Sequence, residues 1–180
     1  MPAFGSVEDG DPEAAGAKAQ FRTRSANLSY YKRFKLEDQA FAWQVRAKAQ
    51  WSPDDLLSTE QIGVGGLYSV RGFRDQSVSG DSGAYMRNEL SWTAPAFISS
   101  PEITKYAGSL KLFAALDTGW IHDDGSAEDH GALAGVAAGL RLQGGMFFGE
   151  AAWERVLSAP AFLEEEGDIF RAQAGLQMRW

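Results

Sequence analysis

The 180-residue sequence predicts an all-β protein, an antiparallel transmembrane β-barrel. Apolar and polar residues alternate over long segments, a pattern typical of strands with two different faces. Several of these segments run for about eleven residues, which is the length that crosses a bilayer as a tilted strand and about twice the usual length in soluble proteins. Their polar faces mix Arg, Lys, Gln and Glu in mid-strand, as expected for a water-filled lumen.

Eight segments carry this alternation. The clearest, residues 39–51, alternates apolar residues with polar ones such as Gln44 and Arg46. It also has an aromatic residue near each end, as expected at the two membrane interfaces. The eight predicted strands are 19–34, 39–51, 60–67, 84–92, 109–121, 133–143, 146–156 and 169–180.

The composition excludes several classes of protein. The net charge of −7 argues against a nucleic-acid partner, and the absence of cysteine excludes disulfides and thiolate metal sites. No apolar run reaches the length of about eighteen residues that a spanning helix needs. Residues 1–18 lack a period and predict a flexible lead-in or a loop remnant. Their acidic start is unlike a secretion signal, so we expect the chain to be a fragment of a longer reading frame.

The chain is organised around residues 62–92. The glycine-rich segment 63–66 leads into a loop that carries Arg71 and Gly72. Glycine in such a place indicates a bend or a close approach of two backbones, so we expect the fold to hold Arg71 in a defined position. Residues 84–92 then form a strand whose apolar face is interrupted only by Asn88.

Four short strings within this stretch resemble a known family. They occur in the order Gly65-Gly66, Ser69-Val70-Arg71-Gly72-Phe73, Ser79-Gly80-Asp81 and Arg87-Asn88-Glu89-Leu90. This series is similar to that of the outer-membrane transporters of two-partner secretion, the haemolysin and filamentous-haemagglutinin secretion/activation proteins. The resemblance implies that residues 19–180 are the C-terminal eight strands of a sixteen-stranded barrel. It also implies that the tetrad 70–73 lies at the tip of a lumenal loop between the third and fourth predicted strands.

The resemblance also implies a function and partners. Such a barrel exports an unfolded exoprotein of the haemolysin or adhesin type across the bacterial outer membrane without a nucleotide or another cofactor. We expect the exoprotein to be recognised by periplasmic domains that lie outside these 180 residues. The barrel is surrounded by outer-membrane lipid, and its terminal aromatic residue, here Trp180, is a signal to the barrel-assembly machinery. An interface aromatic at Trp180 would fit the sequence equally well.

One ion pair is the sharpest site prediction. The string Leu116-Asp117-Thr118-Gly119 resembles a strand motif of the family, in which an aspartate followed by glycine pairs with the loop arginine. Arg71 is therefore expected to reach into the lumen and bind Asp117, with Gly119 beside it. Arginine and carboxylate form directional, often bidentate pairs, which suits the anchoring of a long loop. In the alternative interpretation Arg71 is an exposed turn residue and Asp117 pairs with Lys111.

Five more residues of the matching strings are assigned to the base of the loop and the strand that follows it: Gly80, Asp81, Arg87, Asn88 and Glu89. They hold the loop base or line the conduit, or they form ordinary charge pairs of a lumen. Glu150 and Glu154 share a strand face about 13 Å apart, too far for joint proton transfer, so they are expected to line the lumen.

The remaining motifs favour no catalytic or metal site. Residues 122–130 contain two histidines and three aspartates, but their spacing fits no metal site and predicts a solvated loop. No nucleophile elbow or phosphate-binding loop is present, so we do not expect an enzyme. Two other interpretations stay open: a barrel-assembly or surface-antigen type insertase, and a self-contained eight-stranded outer-membrane barrel with a structural or adhesive role.

Overall fold

In the computed structural model, the residues described are 20–74, 76–94, 105–106, 108–122, 131–163 and 167–177. Nine strands lie within these residues and are numbered here in chain order. They are β1 (Arg24–Leu36), β2 (Gln39–Trp51), β3 (Ile62–Val64), β4 (Val78–Gly80), β5 (Ser82–Thr93), β6 (Ser109–His122), β7 (Gly131–Gln143), β8 (Phe147–Ser158) and β9 (Ile169–Leu176). Among these residues, no helix has the length and hydrophobicity needed to cross a membrane.

Seven of the strands form one antiparallel sheet in the order β1-β2-β5-β6-β7-β8-β9. Strands that are consecutive in this sheet are also neighbours along the chain, apart from the β3–β4 hairpin, which is inserted between β2 and β5 and forms a separate sheet. The all-β antiparallel prediction is confirmed. Within the described residues the sheet is open, with β1 and β9 at its two edges.

The third predicted strand, 60–67, is wrong as a strand of the barrel. Only Ile62–Val64 is extended there, and it pairs with β4 instead of joining the large sheet. The reason lies in Gly65 and Gly66, whose φ angles of 112° and 83° turn the chain out of the β conformation. The other seven predicted strands all correspond to strands of the large sheet, which therefore has seven members among the described residues, not eight.

The large sheet has two chemically different faces. On one face, large apolar side chains such as Trp43, Leu90 and Leu116 are more than two-fifths exposed. Trp43 lies opposite Leu90 in the β2–β5 register, so apolar residues are neighbours across strands as well as along them. The other face carries the buried charges and packs against the segment that connects β2 to β5. This is the arrangement of a barrel wall with a lipid side and a lumenal side, which are called the outer and inner faces below.

This assignment of faces can be tested with a matched pair of arginine substitutions. Leu116→Arg in the middle of β6 is expected to destabilise the membrane-inserted fold by about 2–4 kcal/mol, because it places a charge among lipid chains. Gln173→Arg, on the inner face of β9, is expected to change stability by less than about 1 kcal/mol. Denaturant titration of the complete protein in lipid vesicles measures both. Equal losses would contradict the assignment.

The largest buried cluster lies between the sheet and the segment that connects β2 to β5, residues 52–81, called the inserted loop from here on. Five apolar residues of the loop pack against Ile121 of β6 and Leu133 of β7. The loop residues of this cluster are Ile62, Val64, Val70, Phe73 and Val78. The burial of these apolar side chains against Ile121 and Leu133 explains how a segment with only six residues in strands keeps a defined position.

Candidate functional site

The guanidinium group of Arg71 binds the carboxylate of Asp117 at the inner face of the sheet. Its Nε donates to Oδ2 over 2.6 Å and its Nη2 donates to Oδ1 over 2.9 Å, so the pair is bidentate. The backbone N–H of Arg71 donates to the same Oδ2 at 3.2 Å. Arg71 is 3% exposed and Asp117 is fully buried. Three hydrogen bonds to one carboxylate therefore fix both the side chain and the main chain of the loop tip.

Two neighbours on β5 complete the charge balance around this pair. Glu89 accepts from Nη1 of Arg71 at 3.0 Å. Arg87, directly opposite Asp117 in the β5–β6 register, brings its Nε to 3.6 Å from Oδ2. It also donates to the carbonyl oxygen of Leu67 in the loop at 2.8 Å. Burial opposes the charge of Arg71, but the hydrogen bonds and charges of Asp117 and Glu89 outweigh it and raise its pKa above the ordinary value.

The charges continue across the wall to the last described strand. Arg141 of β7 binds Glu89 at 2.9 Å and Glu150 of β8 at 2.6 Å. Arg171 of β9 binds Glu150 at 3.0 Å and Glu154 at 2.8 Å. Four strands of the sheet are thus linked by arginines that each bridge two carboxylates. Glu150 and Glu154 line the inner face, as the sequence predicts.

This chain of charges returns to the loop through Glu154. Its second carboxylate oxygen, Oε2, lies 3.4 Å from the backbone nitrogen of Gly72, which donates to it. Glu154 is almost completely buried. The tip of the loop is therefore held by β6 through Arg71 and by β8 through Gly72, with β9 orienting the second of these contacts.

The base of the loop is held by a different carboxylate. Asp81, which follows β4, is buried, and its Oδ1 accepts from the backbone N–H of Leu56 at 3.0 Å and from the amide of Gln61 at 3.2 Å. Gly80 packs closely against Ile121, and a Cβ at this glycine would come within 2.7 Å of that side chain. Both residues thus lie where the loop rejoins the wall.

The structure brings most of the predicted site residues together. Val70 and Phe73 are buried in the loop cluster, and Gly119 lies against Val70. Asn88 lies on β5 opposite Leu116, on the outward-facing apolar side of the strand where the sequence pattern places it. Asp117 pairs with Arg71 and Arg87 and makes no described ion pair with Lys111.

Three of the predicted features lie outside the described residues: the lead-in 1–18, the acidic segment 123–130 and Trp180. Among the residues that are described, no group of three or more His, Cys, Asp or Glu side chains is arranged to hold a metal ion.

The sequence did not indicate the roles of Arg141 and Arg171 in this site. Each occupies one of the alternate positions of its predicted strand that face inward, and this alternation is the only signal in the sequence. The alternation shows which face of the sheet a residue occupies, but it does not show which residues are its neighbours on the adjacent strands. The network of arginine–carboxylate pairs depends on those neighbours.

Long amphipathic antiparallel strands with an internal loop held on the polar face define a segment of a transmembrane β-barrel. Residues 1–142 match the model of the family "Haemolysin secretion/activation protein ShlB/FhaC/HecB". The chain therefore belongs to this family.

Individual relatives agree with this assignment. The chain is 42% identical over 146 residues to the outer membrane transporter CdiB of Escherichia coli, covering 81% of this chain and 23% of that protein. It is 31% identical over 177 residues to CdiB of Dickeya dadantii, covering 96% and 29%. The solved structure of CdiB from Escherichia coli superposes with a TM-score of 0.77 at 37% identity, covering 97% of this chain and 32% of that one. The chain thus spans about a quarter to a third of the length of these relatives.

Proposed function

We propose that this chain is the C-terminal half of the barrel of an outer-membrane transporter that exports an exoprotein by two-partner secretion. The observation that carries the proposal is the inserted loop fixed to the inner face by Arg71 and Asp117 in a member of this family. In this proposal residues 19–180 supply one half of the barrel wall, and residues 1–18 lead into it.

The inner face suits the passage of an unfolded chain. Its arginines are largely paired with carboxylates on the wall itself, so fixed charges of both signs are presented together. A passing polypeptide would meet charges that are already compensated, which limits tight binding at any one point. The loop, held at tip and base, would then be the element that occupies or lines the conduit.

The partners follow from the same proposal. The outer face would contact outer-membrane lipid, the exoprotein would be of the haemolysin or adhesin type, and the barrel-assembly machinery would insert the complete protein. We do not propose an enzymatic activity or a nucleic-acid partner, since the family is one of secretion proteins and the net charge is −7. The insertase and the self-contained small barrel are not favoured, because the named relatives are much longer outer membrane transporters.

The experiment is a two-component secretion assay. The complete transporter and the exoprotein encoded beside it are produced together in a Gram-negative host that lacks both, and the exoprotein is measured in the medium. We expect extracellular exoprotein only when both proteins are present. An exoprotein that reaches the medium equally well without the transporter would contradict the proposal. A folded transporter whose exoprotein stays in the periplasm would contradict it too.

A further inference from the structure

The tip of the inserted loop rests on positions of the wall that have no side chain. Gly135 of β7 lies directly opposite Asp117 in the β6–β7 register. A Cβ built on Gly135 would overlap the carbonyl oxygen of Arg71 and lie 3.0 Å from its carbonyl carbon. Since carbon and carbonyl oxygen normally stay about 3.3–3.6 Å apart, the loop backbone occupies the space that any side chain at this position would need.

The loop tip also approaches the backbone of β8 closely. Gly72 has a φ angle of 99°, and a Cβ on it would lie 2.7 Å from the carbonyl carbon of Arg155 and 2.9 Å from its oxygen. The β7–β8 ladder is irregular at this point, since Gly135 is opposite Val156 but the preceding Ala134 is opposite Ser158. The additional residue on β8 forms a bulge, which bends a strand locally. The wall is therefore bent locally at the place where the loop backbone contacts it.

The sheet by itself does not require glycine at position 135. Gly135 is not among the residues with positive φ, so an alanine could adopt its backbone conformation. Apart from Arg71, the nearest atom to the added Cβ is the carbonyl oxygen of Arg155 at 3.4 Å, which is close to an ordinary contact. The steric conflict therefore comes from the loop.

We propose that Gly135 is a positioning residue for Arg71, because its missing side chain sets the depth at which the loop tip enters the wall. Arg71 is bound to Asp117 through both its backbone N–H and its guanidinium group. A loop displaced by one methyl group cannot keep all three hydrogen bonds, because they converge on one fixed and fully buried carboxylate. Gly135 thus controls the geometry of the ion pair without contacting its charged groups.

The test measures the position of the loop in the complete protein by pulsed electron spin resonance. Spin labels are attached to cysteines introduced at Tyr68, which is 83% exposed at the loop tip, and at Leu116 on the outer face. The chain itself has no cysteine to interfere. We expect one narrow distance in the parent and a shifted or broadened distribution in Gly135→Ala. The matched control is Gly63→Ala in the same loop, whose added Cβ would meet nothing closer than Ser79 Oγ at 3.7 Å and should leave the distance unchanged.

A distance distribution in Gly135→Ala that equals the parent's would overturn the proposal. Should Gly135→Ala reduce the folded fraction, the same substitution is repeated in a variant whose residues 66–76 are replaced by a short linker. There we expect no further loss, since the conflicting carbonyl group is gone. An equal loss in both backgrounds would assign the glycine to the sheet and refute the proposal. Neither readout involves the exoprotein, so failure of the secretion assay and failure of this inference are separate results.

Discussion

Replacing Arg71 with alanine is expected to lower secretion by the complete transporter roughly tenfold or more. Removing one partner of a buried ion pair typically costs about 3–5 kcal/mol, because the other charge is left buried. Arg87 stays 3.6 Å from Asp117 and compensates part of this loss, so we expect the lower end of that range. Even about 3 kcal/mol would shift the docking equilibrium of the loop more than a hundredfold. Exoprotein in the medium, at equal amounts of folded transporter, is the measurement.

Two further variants define what the arginine contributes. Arg71→Lys keeps the charge but cannot make the bidentate contact, and it is expected to restore only a small part of secretion. Arg22→Ala removes an arginine whose side chain is 80% exposed from its pair with Asp54, and it should leave secretion unchanged, since a pair with one solvent-exposed partner contributes about 0–1 kcal/mol. Parental secretion by Arg71→Ala would exclude a role of this ion pair in export.

Phe73→Ala is expected to loosen the inserted loop almost as strongly, through a different physical effect. Phe73 is 2% exposed in the cluster formed by the loop with Ile121 and Leu133. Truncating a buried phenylalanine usually costs about 3–5 kcal/mol, because transfer energy is lost and a cavity is left. The amides of β3 and β4 should then exchange hydrogen about a hundredfold faster or more, while those in the middle of β6 stay protected.

The control for this prediction is a second phenylalanine, which lies on the outer face of the sheet. Phe34 of β1 stacks on Phe41 and is 38% exposed. Phe34→Ala should leave exchange in β3 and β4 unchanged. If Phe73→Ala accelerated exchange evenly over the large sheet and the loop, the loop would be an inseparable part of one cooperative unit instead of an element docked on the wall.

Most of the sheet could be predicted from the sequence because its strands are long and alternate regularly. A period of two that is sustained over about eleven residues indicates a strand and does not fit the 3.6-residue period of a helix. Segment 60–67 was the exception, since its alternation is carried by three glycines and only the backbone angles of Gly65 and Gly66 reveal the turn. A short hairpin and a barrel strand have the same period, so length was the only available signal.

The site could be predicted only in part. The proximity of Arg71 and Asp117 was expected from the resemblance to a family, whereas the residues alone also allowed a pair between Asp117 and Lys111. The contacts of Arg141 and Arg171 depend on the registers of several strands, and no local pattern encodes those. Gly135 is one of 20 glycines in the chain, and only the path of the loop distinguishes it from the others.

The contacts of the loop tip also imply an order of assembly. The β3–β4 hairpin joins residues that are close along the chain, but Arg71 and Asp117 are separated by 46 residues and Gly72 and Glu154 by 82. Since closing a longer stretch of chain costs more entropy, we expect the hairpin to form early and the tip to dock only once β8 is in place. Pulse-labelling hydrogen exchange during refolding should then protect β3 and β4 before the amide of Gly72. The loop tip would thus enter the wall only after β6, β7 and β8 have paired, and its docking would report that this part of the wall is complete.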